Sequence, residues 1–249
     1  MRIDSHQHFT RELLPSLLGP ILKRNRFDGS VVVTKLETGE DTLWLLEQAA
    51  EHEFIRGVIG WGDLADPGLG RILDEYQRHP KFRGVCYSCV GELPEGLAEI
   101  ERRGLTLDLA PDLACAARIA ERYGGLRMVI DHLGCRPLAP MPFDRWARAL
   151  ETAAQSPNVH GKLSGLITGC PMQWKAADFQ PYARHALRVF GAERLMYGSD
   201  WPSYLPVGTW KEALAAFTQA IGPQTLETRE QLLGGTAARF YRLEPGVAG

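Results

Sequence analysis

The feature that most constrains the fold of this chain is a regular alternation of short β-type runs with helical patterns. Eight apolar runs follow one another, and segments with apolar residues at helical spacing separate them, for example Leu43, Leu46, Ala50 and Phe54. Such alternation predicts parallel strands that are joined by crossover helices. The predicted strands span residues 3–8, 30–34, 56–60, 82–87, 105–109, 127–132, 159–164 and 195–199.

Eight strand–helix units in 249 residues have the number and size of a (β/α)8 barrel, although an open doubly wound sheet gives a similar alternation. A dinucleotide-binding open sheet needs a Gly-x-Gly-x-x-Gly cradle after its first strand, where this chain has Phe9-Thr10-Arg11-Glu12. No repeat, low-complexity tract or Pro/Gly-rich linker divides the sequence. We therefore expect an α/β fold in which a single (β/α)8 TIM barrel domain spans residues 1–249.

The charge balance and the hydropathy pattern exclude two classes of partner. The chain has 28 Lys and Arg against 30 Asp and Glu, so it lacks the basic surplus that binding to nucleic-acid phosphates requires. No apolar run approaches the ~18 residues of a membrane span. Residues 1–6 (MRIDSH) are polar, unlike a signal peptide. We expect a cytoplasmic protein with no nucleic-acid or membrane partner, and homo-oligomerisation stays open.

The cysteines predict reduced thiols. They are odd in number and scattered over a long chain, which is not typical of a disulfide framework. Cys86 and Cys89 have Cys-x-x-Cys spacing, but they fall at the end of a predicted strand and not at a helix start, and no second pair or histidine completes a zinc set. The five cysteines are Cys86, Cys89, Cys115, Cys135 and Cys170.

Ionisable side chains stand at the ends of three predicted strands, where a barrel of this kind carries its active site. The first strand ends in residues 4–8 (DSHQH), the sixth ends in residues 131–132 (DH), and the eighth leads to Asp200. These three segments are therefore the candidate active-site residues of the barrel.

The pattern within these segments favours a metal site. Alternate residues of a strand share a face, so His6 and His8 are expected to point to the same side, with Asp4 one layer deeper. Two imidazoles at a strand end suit a divalent metal, although histidines bonded to loop carbonyls would explain the pair alone. His132 and Asp200 at two further strand ends favour the metal.

A lysine on the seventh predicted strand is a second candidate for chemistry. Lys162 shares a face with polar residues and is expected to project into the barrel, where its cation could hold a carboxylate or polarise a carbonyl. Asp108 on the fifth strand also points inward by alternation. A buried ion pair between the two is the alternative, with Asp108 supporting the site from behind.

Three aromatic residues are candidates to contact a substrate. Trp61 and Trp201 follow strand ends, and Tyr87 closes the fourth predicted strand. Packing within the core is the alternative for each ring.

Five segments in this order resemble the amidohydrolase superfamily, in its amidohydrolase-related (amidohydrolase 2) branch of lactonases. That branch includes fuconolactone, rhamnonolactone, sulfomuconolactone and 2-pyrone-4,6-dicarboxylate lactonases. The segments are residues 4–9 (DSHQHF), 57–64 (GVIGWGDL), 129–134 (VIDHLG), 162–166 (KLSGL) and 194–202 (RLMYGSDWP).

The resemblance implies a barrel of the metal-dependent-hydrolase type, with the metal or water site on His6, His8, His132 and Asp200. Members with two metals carry a bridging lysine at the end of the fourth strand, and residues 82–87 contain none. The expected cofactor is therefore one divalent metal ion, with zinc favoured, or no metal.

The resemblance also implies a hydrolase that opens a small-molecule lactone, of the sugar-acid or muconolactone type, in carbohydrate or aromatic catabolism. Asp200 would take a proton from the attacking water, with His132 and Lys162 as further catalytic groups. Relatives usually carry Arg and then a polar residue where this chain has Cys86 and Tyr87, which disfavours a dicarboxylate lactone. The segment 10–28 is shorter than is typical, so a more open pocket is expected.

Two alternatives come from other classes of protein. Superfamily relatives with a similar site include lyases, which decarboxylate or hydrate unsaturated carboxylic acids. The other alternative is a non-catalytic barrel that binds a small acid.

Overall fold

Eight parallel strands form one sheet in the computed structural model, which describes residues 1–89, 91–110, 112–134 and 142–244. The strands are hydrogen-bonded in chain order from the first to the eighth. They are β1 (Ile3–Gln7), β2 (Gly29–Val33), β3 (Ile55–Gly60), β4 (Phe82–Tyr87), β5 (Thr106–Leu109), β6 (Arg127–Ile130), β7 (Val159–Ser164) and β8 (Leu195–Gly198).

Helices connect the strands. Before β8 they are α1 (Pro15–Arg24), α2 (Gly39–Glu51), α3 (Leu69–Tyr76), α4 (Gly96–Arg102), α5 (Leu113–Arg122), α6 (Phe143–Ala154) and α7 (Ala176–Phe190). After β8 come α8 (Trp210–Ile221), α9 (Leu226–Glu230) and α10 (Thr236–Phe240). No helix in these described ranges is long and apolar enough to cross a membrane.

The last strand returns to the first and closes the sheet. The Asp200 N–H donates to the His6 carbonyl at 2.8 Å, and the His8 N–H donates to the Trp201 carbonyl at 2.7 Å. The fold is therefore the predicted (β/α)8 barrel, with every predicted strand present and its ends within two residues. Strand β6 stops at Ile130, earlier than predicted, because the chain turns there.

Apolar side chains lie on both sides of the barrel wall. The outer cluster joins strands to helices, as where Val32 and Val58 pack with Leu45 of α2. The inner cluster fills the barrel and includes residues that follow β8, so the end of the described chain covers the N-terminal mouth. Its buried members are Ile3, Val31, Val33, Ile59, Val129, Met196, Ala237, Phe240, Tyr241 and Leu243.

The prediction that all cysteines are reduced is wrong for one pair. Cys89 follows β4 and forms a disulfide with Cys115 in α5, with 6.3 Å between the Cα atoms. The two cysteines belong to consecutive βα units, which the barrel places side by side, and spacing along the chain did not reveal this contact. Cys86 and Cys170 are free thiols, and Cys135 lies outside the described residues.

The close approach of β4 to β5 generates a stability prediction. A Cβ atom added at Gly84 would overlap the backbone carbonyl of Thr106, which cannot move without breaking the sheet. We expect Gly84→Ala to lower the free energy of unfolding by about 3 kcal/mol, at the upper end for overpacking. Gly124→Ala is the matched control, since nothing lies within 4 Å of its added Cβ. Urea unfolding checks both variants, and equal stabilities would contradict this account of the packing.

Candidate active site

A cavity of about 420 Å³ opens at the C-terminal ends of the strands, where a (β/α)8 barrel carries its active site. Segments at the ends of six strands line it, and the histidines of the first and sixth strand ends form its floor. The lining residues are His6, His8, Val33, Thr34, Lys35, Leu36, Glu37, Cys86, Tyr87, Ser88, Ala110, Asp131, His132 and Ser203.

Three side chains at this floor converge as metal ligands do. One nitrogen each of His6 and His132 and one carboxylate oxygen of Asp200 lie within 4.8 Å of one another. The Nε2 atom of His6 is buried and makes no hydrogen bond, although it lies 3.9 Å from Asp200 Oδ1. A buried nitrogen without a partner is costly unless a ligand completes it. The described residues therefore fit one divalent metal ion.

His8 stands beside this group and outside the closest three ligands. Its Nδ1 lies 2.8 Å from the Val33 carbonyl, which can only accept, so Nδ1 carries the proton. The Nε2 atom of the same ring lies 3.5 Å from Asp200 Oδ1. His8 therefore contacts the carboxylate that stands among the candidate metal ligands.

The other side of His6 is held by a buried ionic network. Its Nδ1 lies 3.3 Å from Asp131 Oδ1, and the Lys162 ammonium lies 2.9 Å from that oxygen and 2.5 Å from Asp108 Oδ2. The same Nδ1 atom lies 3.1 Å from Lys162 Nζ, so both charged groups of the network contact this side of the ring and Nε2 is left on the metal side. The Tyr241 hydroxyl donates to Asp108 at 2.7 Å and completes the network.

The charges of the network set the protonation of its members. Burial opposes ionisation of Asp131, but the Lys162 charge and the contact with His6 outweigh it and hold the pKa of that carboxyl well below its usual range. Burial lowers the pKa of His6 to about 3, against the opposing charge of Asp131. The ring is therefore neutral at pH 7, as a metal ligand requires.

His132 and Asp200 are held in unusual backbone conformations. Both have positive φ, 52° and 66°, in the left-handed region that residues other than glycine rarely adopt. Ser164 Oγ lies 2.9 Å from His132 Nδ1, and the Thr168 hydroxyl donates to Asp200 Oδ2 at 2.7 Å. Backbone strain of this kind persists where the surrounding structure fixes a functional side chain.

Asp200 is ionised at neutral pH. Burial opposes its ionisation, but the hydrogen bond to His8 and the neighbouring imidazoles of His132 and His6 outweigh it and hold the pKa well below its usual range. The carboxylate is fully buried directly behind the cavity floor. It can therefore accept a proton from a group bound at that floor.

Some predicted site residues lie away from the cavity. Lys162 and Asp108 are fully buried beneath it and form the ion pair given above as their alternative. Trp201 packs against Phe9, with ring centroids 5.8 Å apart, and neither it nor Trp61 is among the described residues that line the cavity. Tyr87 does line it.

The expectation that Asp4 stands one layer below His6 on the same face is wrong. Its carboxylate accepts from the Ser199 N–H at 2.7 Å and from Trp210 Nε1 at 3.1 Å, and Trp210 belongs to the outer, helix-facing cluster. The register of β1 against β2 shifts between Asp4 and Gln7, which breaks the simple alternation of faces.

Sequence reasoning missed several residues of the site. Asp131 lies in the candidate strand-end segment 131–132, but the sequence pattern indicated no role for it beside that of His132. Thr168 lies beyond β7, and its contact with Asp200 has no signal in the sequence. The charged rim residues Lys35 and Glu37 directly follow the second predicted strand, so their position at a strand end was the available signal.

A model of the amidohydrolase family matches residues 3–243. The chain belongs to the amidohydrolase family. This amidohydrolase is 33% identical to a Burkholderia ambifaria protein named L-fucono-1,5-lactonase, over 98% of this chain and 96% of the relative. It is 31% identical to a Burkholderia multivorans protein of the same name, over 100% of this chain and 98% of that relative.

Solved structures agree with the fold of this amidohydrolase. A zinc-bound amidohydrolase from Burkholderia multivorans has a TM-score of 0.89 and 30% identity, covering 98% of this chain and 100% of that one. A Pseudomonas putida protein, provisionally named 2-pyrone-4,6-dicarboxylic acid hydrolase, has a TM-score of 0.76 and 28% identity, with 98% of each chain covered.

The buried network of this amidohydrolase generates a second prediction. Lys162→Met leaves Asp108 and Asp131 buried without their cation, and we expect a loss of about 3–5 kcal/mol in the free energy of unfolding. The double variant Lys162→Met/Asp108→Asn should recover part of that loss, because it removes one of the two stranded charges. Denaturant unfolding of the wild type, Lys162→Met, Asp108→Asn and the double variant measures the coupling between Lys162 and Asp108. If the losses in the free energy of unfolding of the two single variants add up to that of the double variant, the network is contradicted.

Proposed function

We propose that this amidohydrolase opens a lactone ring by hydrolysis, with Asp200 as the base. The observation that carries the proposal is the ionised, buried carboxylate of Asp200 at the floor of the cavity, held on one oxygen by Thr168 and faced by His8 on the other. The two relatives named L-fucono-1,5-lactonase support a lactone as substrate, because they align with nearly the whole chain.

A divalent metal, which we propose to be zinc, fits the group of His6, His132 and Asp200. The ligand set is two neutral imidazoles and one carboxylate, which suits zinc, and the zinc-bound relative supports the choice. When bound there, the ion would lower the pKa of a water molecule and stabilise a developing oxyanion.

The proposed reaction proceeds by addition and elimination. Asp200 takes a proton from water while the water oxygen forms a bond to the lactone carbonyl carbon, which becomes tetrahedral. The bond between that carbon and the ring oxygen then breaks, and the proton passes from Asp200 to the leaving oxygen. The product is an open-chain hydroxy acid. His132, at the cavity floor, is placed to hold the carbonyl oxygen as charge develops.

Lys162 acts at a distance in this proposal. Its full burial keeps it from the substrate, so its contribution is to hold Asp131, which in turn orients His6. A single domain over residues 1–249 and a cytoplasmic location stay predictions of the sequence, and homo-oligomerisation stays open.

The first test removes the proposed base. Asp200→Asn keeps the shape of the side chain but cannot accept the proton, so we expect kcat for lactone hydrolysis to fall by about 10²–10⁴-fold. Proton release from a panel of sugar lactones and muconolactones, in weak buffer with an indicator, measures the rate. Circular dichroism should show an unchanged fold.

Asp63→Asn is the matched control, since Asp63 is exposed and lies outside the described cavity lining. Its rate should stay at the wild-type value. Near-normal turnover by Asp200→Asn would remove Asp200 as the base. If the wild-type protein hydrolyses no lactone of the panel, with or without added zinc, the proposed function itself is wrong.

A second test addresses the metal. We expect one zinc ion per chain, and His6→Asn should weaken zinc binding by at least about 100-fold. Loss of a residue that only orients a metal ligand weakens binding by up to about 100-fold, and loss of a ligand itself should cost at least as much. Titration with a competing zinc chelator measures the affinity without any assay of activity. His79→Asn is the control, since this histidine precedes β4 at the opposite end of the barrel. Equal zinc affinity of both variants would contradict the assignment.

A further inference from the structure

Two opposite charges stand at the mouth of the cavity on one short loop. Lys35 and Glu37 lie between β2 and α2, and the side chains of both are exposed and line the cavity. Neither forms a hydrogen bond or ion pair through its side chain with another described residue. Both charges are therefore available to a bound molecule.

The loop that carries them is fixed to the barrel. The Thr34 N–H donates to the Ile59 carbonyl at 2.9 Å, and the Thr34 hydroxyl lies 2.8 Å from the Leu36 carbonyl and 2.6 Å from Asp41 Oδ2. The Thr38 hydroxyl caps α2 by accepting from the Asp41 N–H. These contacts hold the turn between Lys35 and Glu37 in place, so the two charges have defined positions at the mouth.

The charge of Glu37 reaches into the cavity. Burial raises the pKa of the Cys86 thiol to about 12, and the charges of Asp108, Asp131 and Glu37 add to that effect. Cys86 lines the cavity at the end of β4 and is neutral at pH 7. Glu37 lines the same cavity, so its side chain borders the space in which a substrate would lie.

The described part of the cavity mouth offers little positive charge. Lys35 is the one lysine or arginine among the described residues that line the cavity. Lys162, beneath the floor, is already shared between Asp108 and Asp131. Among the described side chains of the mouth, a substrate with several carboxylates would meet one cation, Lys35, and the repulsion of Glu37 beside it.

We propose that Glu37 and Lys35 select lactones that carry several hydroxyl groups and no carboxylate. The proposal rests on the lactone hydrolysis proposed above and names the residues that would choose its substrate. A carboxylate accepts hydrogen bonds from two neighbouring hydroxyls at once, and the ammonium donates to a third oxygen. The carbonyl group of the lactone must reach the cavity floor, near Asp200. Glu37 and Lys35 at the mouth would therefore contact the opposite edge of the lactone ring.

The experiment compares three kinds of lactone: a panel of sugar 1,5-lactones including L-fucono-1,5-lactone, unsubstituted δ-valerolactone, and 2-pyrone-4,6-dicarboxylate. The wild-type protein should prefer a sugar lactone over the other two in kcat/KM. In Glu37→Ala, the ratio of kcat/KM for that sugar lactone to kcat/KM for δ-valerolactone should fall about 10- to 100-fold, the value of a hydrogen bond to a charged group. Lys35→Ala should lower the same ratio.

Glu40→Ala is the matched control. Glu40 is also exposed and lies in the first turn of α2, but its partner is Arg11 at 3.8 Å, and it lies outside the described cavity lining. This variant should keep the wild-type ratio. The loss in Glu37→Ala should appear mainly in KM, because the proposed contacts bind the substrate and do not move protons.

Three outcomes would overturn the proposal: a wild-type preference for the dicarboxylate, a wild-type preference for δ-valerolactone, or a ratio in Glu37→Ala equal to that in Glu40→Ala. If the wild-type protein hydrolyses none of the lactones, lactone hydrolysis fails, and calorimetric binding of L-fucono-1,5-lactone decides the role of the loop. Weaker binding to Glu37→Ala than to Glu40→Ala would support that role. Equal binding, or no binding, would overturn it.

Discussion

The buried pairing of Lys162 with Asp108 and Asp131 is the interaction on which the site depends. All three side chains lie inside the barrel, where an unpaired charge is costly, so each is stable only with the others. Asp131 and Lys162 both contact Nδ1 of His6, and Nε2 on the other side of the ring is directed at Asp200. The buried network thus holds the His6 ring from behind the cavity.

Closure of the barrel supplies the second half of the site. His6 and Asp200 come from the first and last strand segments, nearly two hundred residues apart in sequence, and backbone hydrogen bonds between those segments set their distance. The candidate metal ligands His6 and Asp200 therefore stand on segments that backbone hydrogen bonds hold together. The loop of Lys35 and Glu37 follows β2, so its sequence can vary without moving His6 or Asp200.

Much of the barrel could be predicted from the sequence, because alternation of strands and helices is a local pattern. The strand-end positions of His6, His132 and Asp200 followed from the same pattern, since all parallel strands end at one face. Contacts that depend on irregular geometry could not be predicted. The register shift in β1 turns Asp4 toward Trp210, and the disulfide of Cys89 joins consecutive units. Such contacts depend on how elements pack, which residue spacing does not encode.

The central claim is that water opens a lactone at its carbonyl carbon, and the fate of the water oxygen tests it most directly. Turnover in water enriched in ¹⁸O, followed by mass spectrometry with fragmentation of the product, locates that oxygen. The account predicts one heavy oxygen per product molecule, in the carboxyl group. A product that carries the label on its alcohol carbon, or no label at all, would contradict hydrolysis by attack on the carbonyl.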